Sequence, residues 1–489
     1  MTRVRWTGFA VVISAGLLAL SACSSSSHAT STTRPGGSTR AATGSAATLT
    51  GPVTGGKGIS LEGPTAAELA QQGYTDSEYF ASGTAHSYKP VGTLGNDGHW
   101  RVTPDAAAPY RTRIVVRTPQ DPKRFNGTVL VEWLNVTAGI DAAPDFTYMN
   151  PELMRSGYAW VGVSVQQVGV TGGEGVIAVG GAPSGGLHGA DPARYASLQH
   201  PGDVYADDIY SQVGRAIRSS QSPDPLGSLR PQRFLAVGES QSAFELTTYI
   251  NAFQPTAHVY DGFFVHSRGG GATPITGGNI TAGINGAVRI RDDIDVPVLL
   301  LETETDEATF RYFDARQPDT DHIRLWDVAG GSHADTYIVG GSAAGLGCTG
   351  QINDAPTHYV VAAALHQLNQ WVRSGTPPPS APRMKLVLVH GDPVVQRDAL
   401  GVAIGGVRTA AINVPIAAYS GIPPAGSSVV CSFFGSTHPF SAATLARLYP
   451  SKSAYVAAFT KATDAAIARG WVLPADRAEI LAQAASVKI

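Results

Sequence analysis

Gln232-Arg-Phe-Leu-Ala-Val-Gly-Glu-Ser-Gln-Ser242 passes from an apolar segment, QRFLAV, directly into Gly238-Glu239-Ser240-Gln241-Ser242. A helical pattern then runs from Ser242 to Phe253. A serine on such a strand-to-helix turn is held in a strained backbone, with its hydroxyl raised above the sheet where a substrate can reach it. Strand and helix backbones approach closely at the turn, so the residues two before and two after the serine must be small. Gly238 meets that demand fully, and Ser242 stands where a second glycine is usual. Ser240 is therefore the expected nucleophile.

A serine is a weak nucleophile without a base, and the base needs an acid to orient it. In this fold class both partners follow the serine in the chain, acid first. Pro297-Val-Leu-Leu-Leu-Glu-Thr-Glu-Thr-Asp306 is an apolar strand running into a loop rich in carboxylates. Asp306 holds the position expected for the acid, Glu304 is its main rival and Glu302 a distant third. The next strand, Ile323 to Val328, runs into Ala329-Gly-Gly-Ser-His333, a short glycine loop that can swing His333 over Ser240. The oxyanion of an acyl-transfer intermediate needs two donors. One is expected from the amide of Gln241, the other from the loop after Thr128–Trp133, with Leu134, Asn135 and Val136 as candidates. The nearby aromatics Trp133, Phe146 and Tyr148 fit a core as readily as a pocket and are not assigned to the site.

Around this centre, strand-like and helix-like stretches alternate from about residue 110. Strands are expected at 111–117, 128–133, 158–165, 232–237, 296–301 and 323–328, and helices at 151–156, 203–219, 242–253 and 359–372. Continuous apolar strands separated by helices predict a mostly parallel sheet covered on both faces. Gly169–Gly189 is glycine-rich and reads as a lid or a surface loop. After Thr376-Pro-Pro-Pro379, residues 384–489 form a C-terminal extension with a strand-like MKLVLV and two expected helices, either a small domain or a wrap around the core. The core is expected over about 110–375.

The chain has 489 residues, 43% hydrophobic and 15% charged, enough to bury a large core. A net charge of -3 and no basic stripe argue against nucleic acid as a partner. Gly345-Leu-Gly-Cys-Thr-Gly350 formally matches a dinucleotide fingerprint, but it follows a loop and has no acidic residue at the ribose position. No cofactor or metal is expected. Residues 1–22, with Arg3 and Arg5 before the apolar run Phe9–Leu20, read as a signal peptide. Leu20-Ser21-Ala22-Cys23 matches a lipobox, so Cys23 is expected to carry lipid, including palmitate, and to anchor an exported protein at the cell membrane. Residues 23–60, poor in large apolar side chains, are expected to be a flexible tether, leaving 61–489 as the folded domain. An oxidising compartment predicts that Cys348 and Cys431 pair.

GESQSA (Gly238 to Ala243) and TTYIN (Thr247 to Asn251) resemble segments of the "alpha/beta hydrolase domain" proteins common in actinobacteria. So do YTDSEYFASGTA (Tyr74 to Ala85), VEWLNVTAG (Val131 to Gly139), ARQPDTD (Ala315 to Asp321) and the terminal FGSTHPFS and LYPS. The resemblance covers nearly all of the chain after the tether. It implies an α/β-hydrolase fold in which the extension belongs to the same domain, with serine, acid and histidine on Ser240, Asp306 or Glu304, and His333. The expected activity is an esterase-like serine hydrolase acting on a small-molecule or lipid ester. An envelope acyltransferase using the same acyl-enzyme, or a binding lipoprotein on a reused fold, are the alternatives.

Overall fold

The structure, a computed structural model, describes residues 42–489 except 62, 177–184, 278–285 and 341–346. The expected signal peptide, Cys23 and the first part of the tether lie outside the described residues, as does the middle of the glycine-rich segment.

One nine-stranded sheet organises the chain. Three strands enter antiparallel: β1 (Thr48–Thr50), β2 (Tyr74–Pro90) and β3 (Val102–Pro119). Six parallel strands follow: β4 (Thr128–Trp133), β5 (Ala159–Val163), β6 (Arg233–Glu239), β7 (Gly262–His266), β8 (Val298–Thr303) and β9 (Ile323–Val328). Their order across the sheet is β1-β2-β3-β5-β4-β6-β7-β8-β9, with β3 antiparallel to β5 and parallel pairing from β5 onward.

The apolar runs become strands because both of their faces are covered. Val129, Val131 and Trp133 of β4 pack on one face with Ile209, Tyr210 and Val213 of the helix Ala206–Arg218 and with Leu246 and Tyr249 of the helix Gln241–Ala252. Leu130 points to the other face, against Phe146, Met149 and Leu153 of the helix Pro144–Ser156 and Val360, Val361 and Leu368 of the helix Thr357–Ser374. The helix Pro144–Ser156 is capped by Gly157 in the left-handed conformation, φ 72°.

Several expectations need correction. The helix expected from Pro151 begins instead at Pro144. The sheet starts well before residue 110. The tether does not extend to residue 60: β1 pairs with β2, Ala47 and Leu49 are buried, and Asp191 accepts hydrogen bonds from the amides of Lys57 and Gly58. A three-residue edge strand among small residues carries too little periodicity to be read from sequence. β2 was hidden for another reason, since many of its residues are polar or half-exposed. Three C-terminal helices, Ala442–Leu448, Lys452–Ala468 and Arg477–Ser486, stand where two were expected.

The extension wraps the core. Val407 forms a parallel bridge with Val328 at the end of β9, and the helix Lys452–Ala468 contributes Tyr455 and Phe459 to a cluster with Tyr359. Two short hairpins, Leu386–Val389 with Asp392–Val395 and Ala417–Ser420 with Ser436–Pro439, complete it. Cys348 and Cys431 form a disulfide. Among the described residues no helix is long and apolar enough to cross a membrane.

Candidate active site

Ser240 is the single residue between the end of β6 and the helix Gln241–Ala252, and its φ of 59° and ψ of -121° lie outside the usual regions for a side-chain-bearing residue. Such a conformation costs about 1–3 kcal/mol and persists only where its surroundings over-determine it. Here the Ser240 amide donates to His266 O at 2.9 Å on β7, and its carbonyl accepts from the Ala243 amide at 2.9 Å. The following helix is buried along its whole length. A Cβ on Gly238 would stand 3.0 Å from both Ser242 Cβ and Leu246 Cδ1, which is why the turn requires glycine there.

The candidate acid comes from the end of β8. Thr303 caps the short helix Glu304–Ala308, and Asp306 closes a capping box. Asp306 Oδ2 accepts both the amide and the hydroxyl of Thr303 at 2.7 Å, which leaves Oδ1 aimed at His333 Nδ1, also 2.7 Å away. Burial alone would raise this carboxyl. The charge and hydrogen bond of His333, with the two Thr303 donors, outweigh it and hold Asp306 below the ordinary aspartate range.

His333 arrives on the loop after β9. Gly330 turns that loop with φ 77°, where a Cβ would meet Ile412 Cδ1 at 2.3 Å. The His333 amide donates to Thr305 Oγ1 at 3.2 Å, and its ring lies edge-on to Phe310, centroids 4.8 Å apart, and 5.3 Å from Phe433. Nε2 is 2.7 Å from Ser240 Oγ. With Nδ1–H donating to Asp306, Nε2 is free to accept the serine proton. The three side chains sit at the C-terminal ends of β6, β8 and β9, the edge where open α/β sheets place their ligands.

The rival carboxylates do other work. Glu304 Oε1 accepts the Gly330 amide at 2.8 Å, while Oε2 accepts the Gly421 amide at 3.0 Å and pairs with Arg397. Glu304 thus fastens the histidine loop to the C-terminal extension. Glu302 is fully buried, and neither carboxyl oxygen has a hydrogen-bond partner; burial, with Asp306 nearby, pushes it well above the usual range.

The oxyanion candidates separate clearly. The Gln241 amide opens a helix and has no intrahelical acceptor, so it remains available beside Ser240. The amides of Leu134 and Asn135 are already spent on Val163 O (3.2 Å) and Ala142 O (2.9 Å), which removes Asn135 as a backbone donor. The Val136 amide makes only a long 3.4 Å contact with Gln241 Oε1.

Sequence reasoning left three features unassigned. Glu239, the residue before the serine, lies 3.7 Å from His333 Nε2. Burial, with Asp145, Asp306, Glu132 and Asp335 around it, drives its carboxyl well above the glutamate range. Its place in the motif was the available signal. Phe310 and Phe433 wall the site, and Phe433 comes from the extension, so nothing in local sequence joins it to His333. Thr137 lines the same cavity as Ser240. Trp133, Phe146 and Tyr148 are core residues.

Ser240 and His333 open into a cavity of about 410 Å³, walled by Thr137, Phe244, Phe310 and Phe433 and bordered by Arg311 and Asp314. A smaller hollow of about 140 Å³ between Tyr359 and Tyr455 has no serine or histidine in its lining. His99, Asp292 and Asp293 bring ligand atoms within 4.8 Å of one another, but all three are exposed and already paired, His99 with Asp292 and Asp293 with Arg291.

Fold and site together define an α/β protein with a hydrogen-bonded serine, histidine and aspartate arrayed along one sheet edge. The chain belongs to the alpha/beta hydrolase domain family, whose model matches residues 49–482. No curated protein matches it by sequence. Among solved structures it is similar to an esterase from Rhizomucor miehei at 10% identity and a TM-score of 0.31, covering 60% of this chain and 86% of that one. It is also similar to an esterase domain of a Rhodothermus marinus protein at 11% identity and TM-score 0.28, covering 61% and 99%. An α/β serine hydrolase without a lid from Xanthomonas campestris matches at 11% identity and TM-score 0.27, over 50% and 83%. The fold assignment rests on the family match and the strand order.

Proposed function

We propose that the chain is a serine hydrolase that cleaves esters through an acyl-enzyme on Ser240. One observation carries the reading: Ser240 Oγ, His333 Nε2, His333 Nδ1 and Asp306 Oδ1 form an unbroken relay with both links at 2.7 Å, at the mouth of a cavity large enough for a small ligand. His333 takes the Ser240 proton as Oγ attacks the carbonyl carbon, then returns it to the departing alkoxide. Water repeats the cycle on the acyl-enzyme. Asp306 holds the ring and stabilises the imidazolium. Gln241 donates its amide to the oxyanion.

The cavity favours an uncharged acyl group. Its described lining includes Phe244, Phe310 and Phe433, and the one Arg or Lys among the described lining residues, Arg311, is already matched by Asp314 at 2.8 Å and Asp392 at 3.1 Å. At about 410 Å³ it suits a short or medium acyl chain, or an aromatic one, better than a long lipid chain. Lipidation of Cys23, with export and anchoring at the membrane, is part of the same proposal and rests on the lipobox sequence alone.

Fluorophosphonate labelling of the purified chain tests the reading, beside Ser240→Ala and His333→Ala and a p-nitrophenyl ester series of increasing acyl length. Labelling that vanishes in both variants, with turnover highest for short to medium chains, supports it. A folded wild type that neither labels nor hydrolyses any ester leaves a binding protein on a hydrolase fold. Product formation that speeds up with added alcohol assigns acyl transfer instead.

A further inference from the structure

We infer that the side-chain hydroxyl of Thr137 is an oxyanion donor, acting beside the Gln241 amide. The inference rests on the hydrolase reading and adds to it a residue outside the relay.

An oxyanion site needs donors from two directions, and in this fold one comes from the loop between the first parallel strand of the chain and the helix that follows it. Here that loop follows β4 and straddles the nucleophile. Asn135 Nδ2 donates to Glu239 O at 3.0 Å on one side of Ser240, and Val136 N faces Gln241 Oε1 at 3.4 Å on the other. The next residue, Thr137, lines the cavity together with Ser240 and His333.

Three of the first four backbone amides after β4 are already engaged. Leu134 donates to Val163 O and Asn135 to Ala142 O, at 3.2 and 2.9 Å. The Thr137 amide is taken by Asn135 Oδ1 at 2.8 Å, in a turn that fixes how residue 137 is presented. Val136 is engaged at long range by a glutamine that is itself held by Gln166 at 2.7 Å and Glu245 at 3.1 Å. A side-chain donor on the loop remains unspent. Thr137 Oγ1 is buried and has no hydrogen-bond partner. A buried hydroxyl without a partner is costly, and each such group in a native protein calls for an explanation, a catalytic role among them. A substrate oxygen bound in the cavity supplies the missing acceptor.

The step balances without a further reactant. Ser240 Oγ bonds to the carbonyl carbon, its proton passes to His333 Nε2, and the carbonyl π pair moves onto oxygen. Thr137 Oγ1–H and the Gln241 N–H then hydrogen-bond that oxygen, which carries a full charge only in the intermediate. No bond to Thr137 forms or breaks. Because the interaction is strongest in the transition state, its loss appears in kcat rather than KM.

Steady-state kinetics of the full chain on an uncharged p-nitrophenyl ester tests this with Thr137→Val, which keeps the shape and deletes the hydroxyl, and Thr137→Ser, which keeps the hydroxyl. Thr137→Val should lower kcat about 100-fold with KM within about twofold. Thr137→Ser should stay within about threefold of wild type. The thermal midpoint of Thr137→Val should not fall, since the hydroxyl makes no bond in the free protein. Wild-type kcat in Thr137→Val overturns the inference, as does a loss confined to KM, or a Thr137→Ser variant as poor as Thr137→Val. A wild type whose Ser240 does not label fails the hydrolase reading itself. A wild type that labels, with Thr137→Val at full kcat, fails only the role of Thr137.

Discussion

Breaking the Cys348–Cys431 disulfide, by reduction or by Cys348→Ser with Cys431→Ser, should weaken the fold globally and the site locally. The bridge closes a loop spanning a sequence separation of 83. In the chain-entropy model a loop of that length is worth about 4.5 kcal/mol at 25 °C, an upper figure because a reduced chain keeps some order. Cys431 is buried in the turn Val429–Phe433, whose last residue accepts the Ala334 amide at 2.9 Å and packs on the His333 ring at 5.3 Å. The next residue, Phe434, accepts the Asn353 amide at 2.9 Å. Those contacts survive reduction, so in the absence of denaturant kcat/KM should fall only a few-fold. In urea the turn should open before the sheet does, since local units of a fold open at lower free energy than the whole. The assay follows ester turnover and tryptophan fluorescence across a urea series, oxidised and reduced. Oxidised protein should lose both signals together. Reduced protein should lose activity at a lower urea concentration than fluorescence, and both below the oxidised midpoint. Fluorescence midpoints corresponding to less than about 1 kcal/mol of difference would refute the loop-closure reasoning. Coincident activity and fluorescence curves in the reduced protein would refute the local role of the turn.

Asp306→Asn should cut kcat by about 10³- to 10⁴-fold, because the histidine loses the partner that fixes its tautomer. Glu304→Gln should retain a labelled serine while lowering the unfolding midpoint, so the pair of variants separates acid from fastener in one labelling gel. The Asp306 carboxyl lies below its ordinary value of 3.8 in the fold, so its contribution to stability is present above that pH and lost as pH falls through the folded value; the stability gap between wild type and Asp306→Asn should therefore narrow in acid. Burial, with Asp208 beside it, pushes Asp207 up to about 8, so its neutral form favours folding fully below 3.8 and progressively less as pH rises towards 8. Asp207→Asn should be more stable than wild type at pH 7, by at most about 4 kcal/mol, with the difference vanishing near pH 4 in paired denaturation curves. Gly238→Ala should cost about 1–3 kcal/mol and most of the activity, because its Cβ drives into Ser242 and Leu246, as unfolding and ester assays would both register.

What could be read from the sequence was what the backbone must do locally. β4 and β9 were legible to the residue because an apolar run buried on both faces has no other comfortable conformation. The nucleophile turn was legible because its steric demand falls on Gly238 and Ser242, adjacent in sequence to Ser240. The choice among Glu302, Glu304 and Asp306 was ranked, with Asp306 first, but not decided. All three lie on one short segment, and only the direction of each side chain decides: Asp306 towards His333, Glu304 towards Gly330 and Gly421, Glu302 into the core. At the proposed oxyanion loop, whether the Asn135 amide is free depends on a cross-loop bond to Ala142 that no pattern announces. β1 escaped because a short edge strand owes its form to a neighbour rather than to its own periodicity, and β2 because many of its residues are polar or half-exposed.

The fastening of the histidine loop by Glu304 has a consequence in time. Ser240, Asp306 and His333 all leave the ribosome well before Arg397, Gly421 and Phe433, which hold that loop and roof the cavity. A nascent chain therefore carries all three proposed reacting groups long before it has the walls that align them. Synthesis itself should act as a safety interval: ribosome-bound chains ending before residue 397 should resist fluorophosphonate, and those extended past Phe434 should begin to react.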